Sequence, residues 1–317
     1  MDQPLRPFNR VTVFGGATID RIAQSTAPPV MGASNPGHAR RLPGGVGFNI
    51  ATILARLGIS ARLVSRVGTD PDGEIIVAAA VAAGVDVSAI GVSTENATAA
   101  YHAAFDNSGE LIIGIADMDI CAELTPAAIG PAAAASGDDF WVVDANLPEE
   151  TLTFLVEEAA AAGIPVGAIT VSPAKAVRLT HLLDRLTFLF ANRREAATLL
   201  GQDPNLAASA TSLAAELTRT RQTRVVVTAG GEPVIASRAG ETRSFLPLKT
   251  DISAVNGAGD SFAAGTISAM TEGRSLNDSV RFGLAAAALT MEHGSVAAAP
   301  FEPGVLSVRI GTGPRNR

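Results

Sequence analysis

Short runs of continuously apolar, β-prone residues return along this chain with helical stretches between them. This alternation restricts the fold more than any other feature. Val11-Thr12-Val13-Phe14 is the first such run, and Ala61–Val67, Phe140–Val143, Val166–Val171, Leu186–Phe190 and Arg224–Thr228 follow. Their apolar character is continuous rather than alternating, which predicts strands covered on both faces, as in a parallel sheet between helix layers. Between them, Gly45–Leu57 carries Ile50, Ile53, Leu54 and Leu57 at helical spacing and stops at Gly58. Asp70-Pro71 predicts an N-cap with proline at the first helical position, opening a helix to Ala83, and Thr125-Pro126 repeats the device. Aromatics are scarce, at 12 Phe, one Trp and one Tyr, so the 47% hydrophobic content is aliphatic and Ala-rich, which suits helices packed on a buried sheet. At roughly 150 residues per domain, 317 residues allow one large or two small domains. No linker separates two halves, so residues 1–317 are expected to form a single domain.

Two segments break the rhythm. Residues 21–43 are rich in Pro and small or polar residues, and residues 98–117 read as a hairpin turning at Asn107-Ser108-Gly109. Leaving the α/β core at separate points, they can pair as a small β-lid over one edge of the sheet. The end of the chain, Gly311–Arg317, is expected to fray.

Charge and cysteine content exclude several functions. With 24 Lys and Arg against 31 Asp and Glu, the net charge is −7 and there is no long basic run, so no nucleic-acid partner is expected. Cys121 is the only cysteine, which rules out an intrachain disulfide and a Cys-based zinc site and suits a reducing cytosol, with the thiol as a buried small hydrophobe. His38, His102, His181 and His293 lack metal-ligand spacing. The first ten residues hold no signal-peptide core, and the longest apolar run, Ile75–Val85, is far short of a membrane span. A cytoplasmic protein is expected, with no membrane partner.

Four segments can carry chemistry. In Gly257-Ala258-Gly259-Asp260 a small-residue turn opens a predicted helix through Met270. Converging N–H groups and the helix N-terminus suit an anion there, and Asp260 can take a proton from a hydroxyl. Read alone, Asp260 is equally an N-cap and the glycines a tight turn. Pro43-Gly44-Gly45-Val46-Gly47-Phe48-Asn49 permits close backbone approach to a ligand, and the Asn49 amide suits neighbouring hydroxyls. It is neither a Walker A loop nor a dinucleotide fingerprint. Asn192-Arg193-Arg194-Glu195 follows a strand, where a carboxylate can hold hydrated Mg²⁺ through water or simply close a helix cap. Val225–Gly231 runs from a buried strand into a small-residue loop that can host a nucleotide or merely turn the chain.

In their order along the chain, the segments resemble the ribokinase-like carbohydrate kinases of the PfkB family, from Val11 to about Val296. The resemblance implies a Rossmann-like α/β/α sandwich with a β-sheet lid, homodimers through that lid, and the use of ATP and Mg²⁺. It implies Asp260 as catalytic base and the N–H groups of Gly257, Ala258 and Gly259 as anion hole. Asn192 and Glu195 match the element near Mg²⁺ and the phosphates, and Thr228, Gly230 and Asn256 fall on the nucleotide side. Asp20, Gly45 and Asn49 match positions that bind substrate hydroxyls. Within the family the chain is most similar to members that phosphorylate the 5′-hydroxyl of pseudouridine. The cues are Gly32–Gly37, Ala116-Asp117-Met118 and Val143–Leu147, which imply Ser34, Asn35, Asp117 and Asn146 facing the substrate. Kinases for ribose, fructose or adenosine, and a non-catalytic nucleoside-binding protein, are the rival readings. Ala254-Val255-Asn256 stands where the family carries Asp-Thr-x, which leaves a monovalent-cation site open, and Leu284 replaces an Asn near the adenine.

Overall fold

The computed structural model describes residues 4–133 and 139–312. In chain order its strands are β1 (Arg10–Phe14), β2 (Thr18–Ser25), β3 (Gly37–Gly44), β4 (Ser60–Gly68), β5 (Asp86–Ser93), β6 (Ala100–Phe105) and β7 (Leu111–Asp117). They continue with β8 (Asp139–Asp144), β9 (Val166–Ile169), β10 (Phe188–Asn192), β11 (Arg224–Thr228), β12 (Val234–Arg238) and β13 (Glu241–Phe245). The helices are α1 (Val46–Arg56), α2 (Pro71–Ala82), α3 (Pro126–Ala133), α4 (Glu149–Ala162) and α5 (Pro173–Ala176). After them come α6 (Arg193–Leu199), α7 (Ala210–Thr218), α8 (Ala258–Thr271), α9 (Leu276–His293) and α10 (Val305–Thr312). No described helix is long and apolar enough to cross a membrane.

The nine-stranded sheet has the order β13-β12-β11-β10-β9-β8-β1-β4-β5. It is parallel from β11 to β5, with β12 and β13 antiparallel at one edge. Successive strand residues point to opposite faces, and both faces are buried. Val11, Val13, Phe140, Val142, Phe188 and Phe190 pack with α1, α8 and α9 on one side. Phe14, Trp141, Val143, Leu189, Val225 and Val227 pack with α4, α6 and α7 on the other. The continuous apolar runs thus fill two cores at once, which is the predicted α/β/α sandwich.

The two excursions form a second sheet of order β3-β2-β6-β7. Strand β2 begins four residues after β1 ends, so the small sheet rises directly from the carboxyl edge of the large one. The Asp70 cap is as expected, with its side chain accepting from Gly73 N. Some boundaries differ. Strand β9 stops at Ile169, and Val171 takes φ 66. Strand β10 starts at Phe188 rather than Leu186, where its register with Gly167 of β9 begins. Edge strand β5 and the β12–β13 hairpin lie outside the sequence expectation. The hairpin turns at Ala239 and Gly240, both at positive φ, with no Asn-Gly or Asp-Gly to announce it. Gly311 lies inside α10, and the rest of the expected frayed end, from residue 313, is outside the described residues. Cys121 is buried, and burial, with the Asp144 charge adding, pushes its thiol up to about 12.

Candidate active site

Ligands of open α/β sheets bind outside the carboxyl ends of the strands, and the chemistry-bearing residues gather there. Asp260 sits in the first turn of α8, whose N-cap Gly257 is at φ 75. A Cβ at Gly257 would lie 2.7 Å from Val296 Cγ2, so both space and conformation require glycine. Ala258 N donates to Val255 O at 3.2 Å and Ser261 N to Gly257 O at 2.9 Å. Asp260 Oδ2 accepts a 2.7 Å hydrogen bond from Asn49 Nδ2 on α1. Burial pushes the Asp260 carboxyl to about 6; the Asn49 bond opposes the rise, while Asp144, Asp20 and Glu195 reinforce it.

The position of Asn49 follows from the glycines before it. Gly45, the N-cap of α1 at φ 92, and Gly47 pack on the loop after β1, where Phe48 N bonds Gly16 O. That loop is fixed from below. Asp144, at the end of β8, accepts from Gly16 N at 2.9 Å and Asn146 N at 2.8 Å. Its own carboxyl is raised to about 6 by burial, with these bonds and the Lys175 charge opposing. Asn146 is buried, and its Oδ1 accepts from Lys175 Nζ at 2.6 Å. Arg178 is committed to the carbonyls of Ala145, Asn146 and Leu147. Sequence reasoning missed Asp144, Lys175 and Arg178 as a supporting layer, since nothing local links residues about one helix and one strand apart.

Asp20 lies on β2, where its Oδ1 accepts from Thr18 Oγ1 at 3.1 Å. Burial raises its carboxyl, and hydrogen bonds from Thr18 and Asn256 pull it back. A cavity of about 630 Å³ opens between the small sheet and the loops around α8. Asp20, Asn49, Asn256 and Gly257 line its floor, and Gln24, Arg40 and Tyr101 line the wall formed by the small sheet. Strand periodicity could have found Gln24, because it lies two steps of two from Asp20 on the same face.

Ser34, Asn35 and Asp117 are not brought to this cavity. Ser34 and Asn35 occupy an exposed loop, where the Asn35 amide is bonded to Val30 and Ala33. Asp117 pairs opposite Ala100, next to the Ala116–Tyr101 pair, so its side chain is on the other face of the small sheet from Tyr101.

Asn192 and Thr228, expected on the nucleotide side, are register partners at the ends of β10 and β11. Gly230 follows at φ 63 in an open turn. Asn192 and Glu195 form a reciprocal capping box at the start of α6. Glu195 is buried, and its two oxygens accept from Asn192 N, Asn192 Nδ2 and the Thr170 hydroxyl. Among the described residues no three His, Cys, Asp or Glu cluster to cage a metal ion. The donor set fits a hard cation held mostly by phosphate oxygens and water, with Glu195 reached through water.

The sequence matches the profile of the pfkB family carbohydrate kinases over residues 9–302. It is 33% identical to the pseudouridine kinase of Escherichia coli K12, covering 91% of this chain and 93% of that protein. A solved carbohydrate kinase from Agrobacterium tumefaciens superposes with TM-score 0.82 at 34% identity, over 96% of this chain and 98% of that one. The Arabidopsis thaliana ribokinase solved with ribose and ATP shares the fold at TM-score 0.82 and 21% identity, over 96% and 99% of the two chains. A match over nearly the whole length, joined to a ribokinase-like sheet with its smaller separate sheet, leaves one conclusion: this chain is a member of the pfkB family of carbohydrate kinases.

Proposed function

We propose that this protein transfers the γ-phosphoryl group of ATP to the 5′-hydroxyl of pseudouridine. The observation that carries the reading is Asp260: a carboxylate in the first turn of a helix, beside small residues and tied to Asn49 on the cavity floor. Asp20 and Asn49 hold ribose hydroxyls. The 5′-oxygen bonds to the γ-phosphorus, its proton passes to Asp260, and the bridging bond breaks to release ADP. The N–H groups of Gly257, Ala258 and Gly259 take up the developing charge, for which Ala258 must leave Val255 O. The nucleotide lies along Asn192, Thr228, Gly230 and Asn256. Glu195 and Asn192 would reach, through water, the Mg²⁺ that binds with ATP, and that ion would supply neutralisation of the phosphate charge.

The choice of nucleoside is supported by the E. coli relative and by the wall of the cavity. Arg40 offers donors to the two base carbonyls, Gln24 both donates and accepts, and the Tyr101 ring supplies a flat apolar face. In this reading residues 1–317 act as one cytoplasmic kinase domain. The small sheet closes over the cavity as a lid and excludes water, which competes as phosphoryl acceptor. Its partners are small molecules and a second copy of the chain.

An ATP-consumption assay across pseudouridine, uridine, adenosine, ribose and fructose tests the proposal. Pseudouridine should be preferred over uridine, because its base exposes an additional ring N–H that a site built to accept it will read. Equal efficiency on the two nucleosides, or a preference for free ribose, would overturn the assignment.

A further inference from the structure

The side chain of Asn49 stands between the acceptor cavity and Asp260. It is 8% exposed, lines the cavity with Asp20, and donates from Nδ2 to Asp260 Oδ2 at 2.7 Å. Its bond joins α1 to α8, two helices that meet at this point from distant parts of the sequence. Among the described residues, none donates to Asn49 Oδ1, so one end of the amide is committed to Asp260 and the other is available to a ligand.

We propose that Asn49, beyond the sugar contact already given to it, is a positioning residue for the base: while Oδ1 accepts from a ring hydroxyl of the acceptor sugar, Nδ2 holds Asp260 with its Oδ1 turned to the reacting hydroxyl. This rests on Asp260 being the base and adds that one amide couples recognition of the sugar to orientation of the base. A planar amide cannot rotate to meet one partner without moving the other. A sugar lacking that hydroxyl therefore loses turnover as well as affinity. The electrostatics agree. The groups facing Asp260 from β2, β8 and α6 are the carboxylates Asp20, Asp144 and Glu195, and the Asn49 bond is the contact that opposes them. Without it, the carboxyl binds its proton more tightly.

The test measures kcat and kcat/KM against pH for wild type, Asn49→Ala and Asn49→Asp, on whichever substrate wild type consumes best. Asn49→Ala should move the acid limb upward by roughly half a pH unit or more, because the ionised carboxylate loses the hydrogen bond that favours it. Asn49→Asp should move it further, because two carboxylates at hydrogen-bond distance share one proton. In wild type, 2′- or 3′-deoxy analogues should lower kcat as well as raise KM, and in Asn49→Ala one of those kcat penalties should vanish. A packing role alone would lower Tm and leave the profiles superimposed on wild type, and that result overturns the proposal. If a variant turns over too slowly, the ¹³C titration of the Asp260 carboxyl in the folded protein, assigned with Asp260→Asn, decides in its place: an unmoved midpoint ends the proposal. The two levels separate cleanly. An active Asp260→Asn removes the base role itself, whereas an inactive Asp260→Asn with unchanged Asn49 profiles removes only this inference.

Discussion

Asp20, Asp144 and Glu195 add their charge to that of Asp260, and the carboxyls of Asp144 and Asp260 both stand at about 6 instead of the ordinary 3.8. The sign of the consequence is fixed by linkage. A carboxyl with a raised folded value gives stability that is full below about pH 4 and is lost as pH rises through about 6. Replacing Asp260 by Asn keeps the bond from Asn49 and removes the charge. Asp260→Asn should therefore melt higher than wild type at pH 7.5, with the gap closing at pH 5. It should also lose turnover by roughly 10²–10⁴ with ATP affinity nearly unchanged. Melting curves at the two pH values and steady-state rates check both halves; a mutant with near-wild-type turnover would defeat the base assignment. Substrate turnover should itself show an acid limb near pH 6, since the ionised form is the one that accepts a proton.

Elements bring these residues together through close backbone contacts. Helices α8 and α9 meet where a Cβ on Gly265 would lie 2.6 Å from Ala286 Cβ and one on Gly283 would strike Thr266 Oγ1. The first turn of α8 is therefore held at a fixed height above the sheet. Helix α6 is anchored by its capping box, in which Glu195 Oε2 accepts from Asn192 N and Glu195 Oε1 from the Asn192 side-chain amide. The cap is formed, and in the proposed site the same carboxylate also serves Mg²⁺. Glu195→Gln should cost about 0.5–2 kcal/mol as a damaged cap. It should also raise the Mg²⁺ concentration needed for half-maximal rate. Titrating Mg²⁺ at fixed ATP beside melting curves separates the two roles. A lower Tm with an unchanged Mg²⁺ curve would leave Glu195 as a cap only.

For the whole molecule, the small sheet leaves an unusual edge. Strand β7 is exposed along its length, with Leu111, Ile113 and Ile115 each more than half exposed. Ile113 and Ile115 fall on the same face as Asp117, away from Tyr101 and the cavity. An apolar edge of this kind is a template for pairing with another chain. In the proposed homodimer this face is covered by a second copy while the cavity stays open. Light scattering should give twice the chain mass for wild type and the single mass for Ile113→Lys with Ile115→Lys. A monomeric wild type would rule out the lid dimer.

Much of this fold can be read locally. Continuous apolar runs imply a sheet covered on both faces, Asp70-Pro71 marks a helix start, and Gly257-Ala258-Gly259-Asp260 marks a turn into a helix carrying an acid. These depend on propensity, capping and period, which act over a few residues. The β12–β13 hairpin was not legible, because its Ala239-Gly240 turn takes its conformation from the sheet edge it completes. Nor was the side of the small sheet on which Asp117 falls, since strand register decides which face a residue joins and register is set by pairing between distant segments. The bond between Asn49 and Asp260, the Lys175–Asn146–Asp144 layer under Gly16, and the charge interactions of Asp20, Asp144 and Glu195 with Asp260 all join residues far apart in the chain. Burial raises the Asp260 carboxyl to about 6. The sequence alone determines which residues can do chemistry, and the packing of helices on the sheet decides which of them meet and how their protons are held.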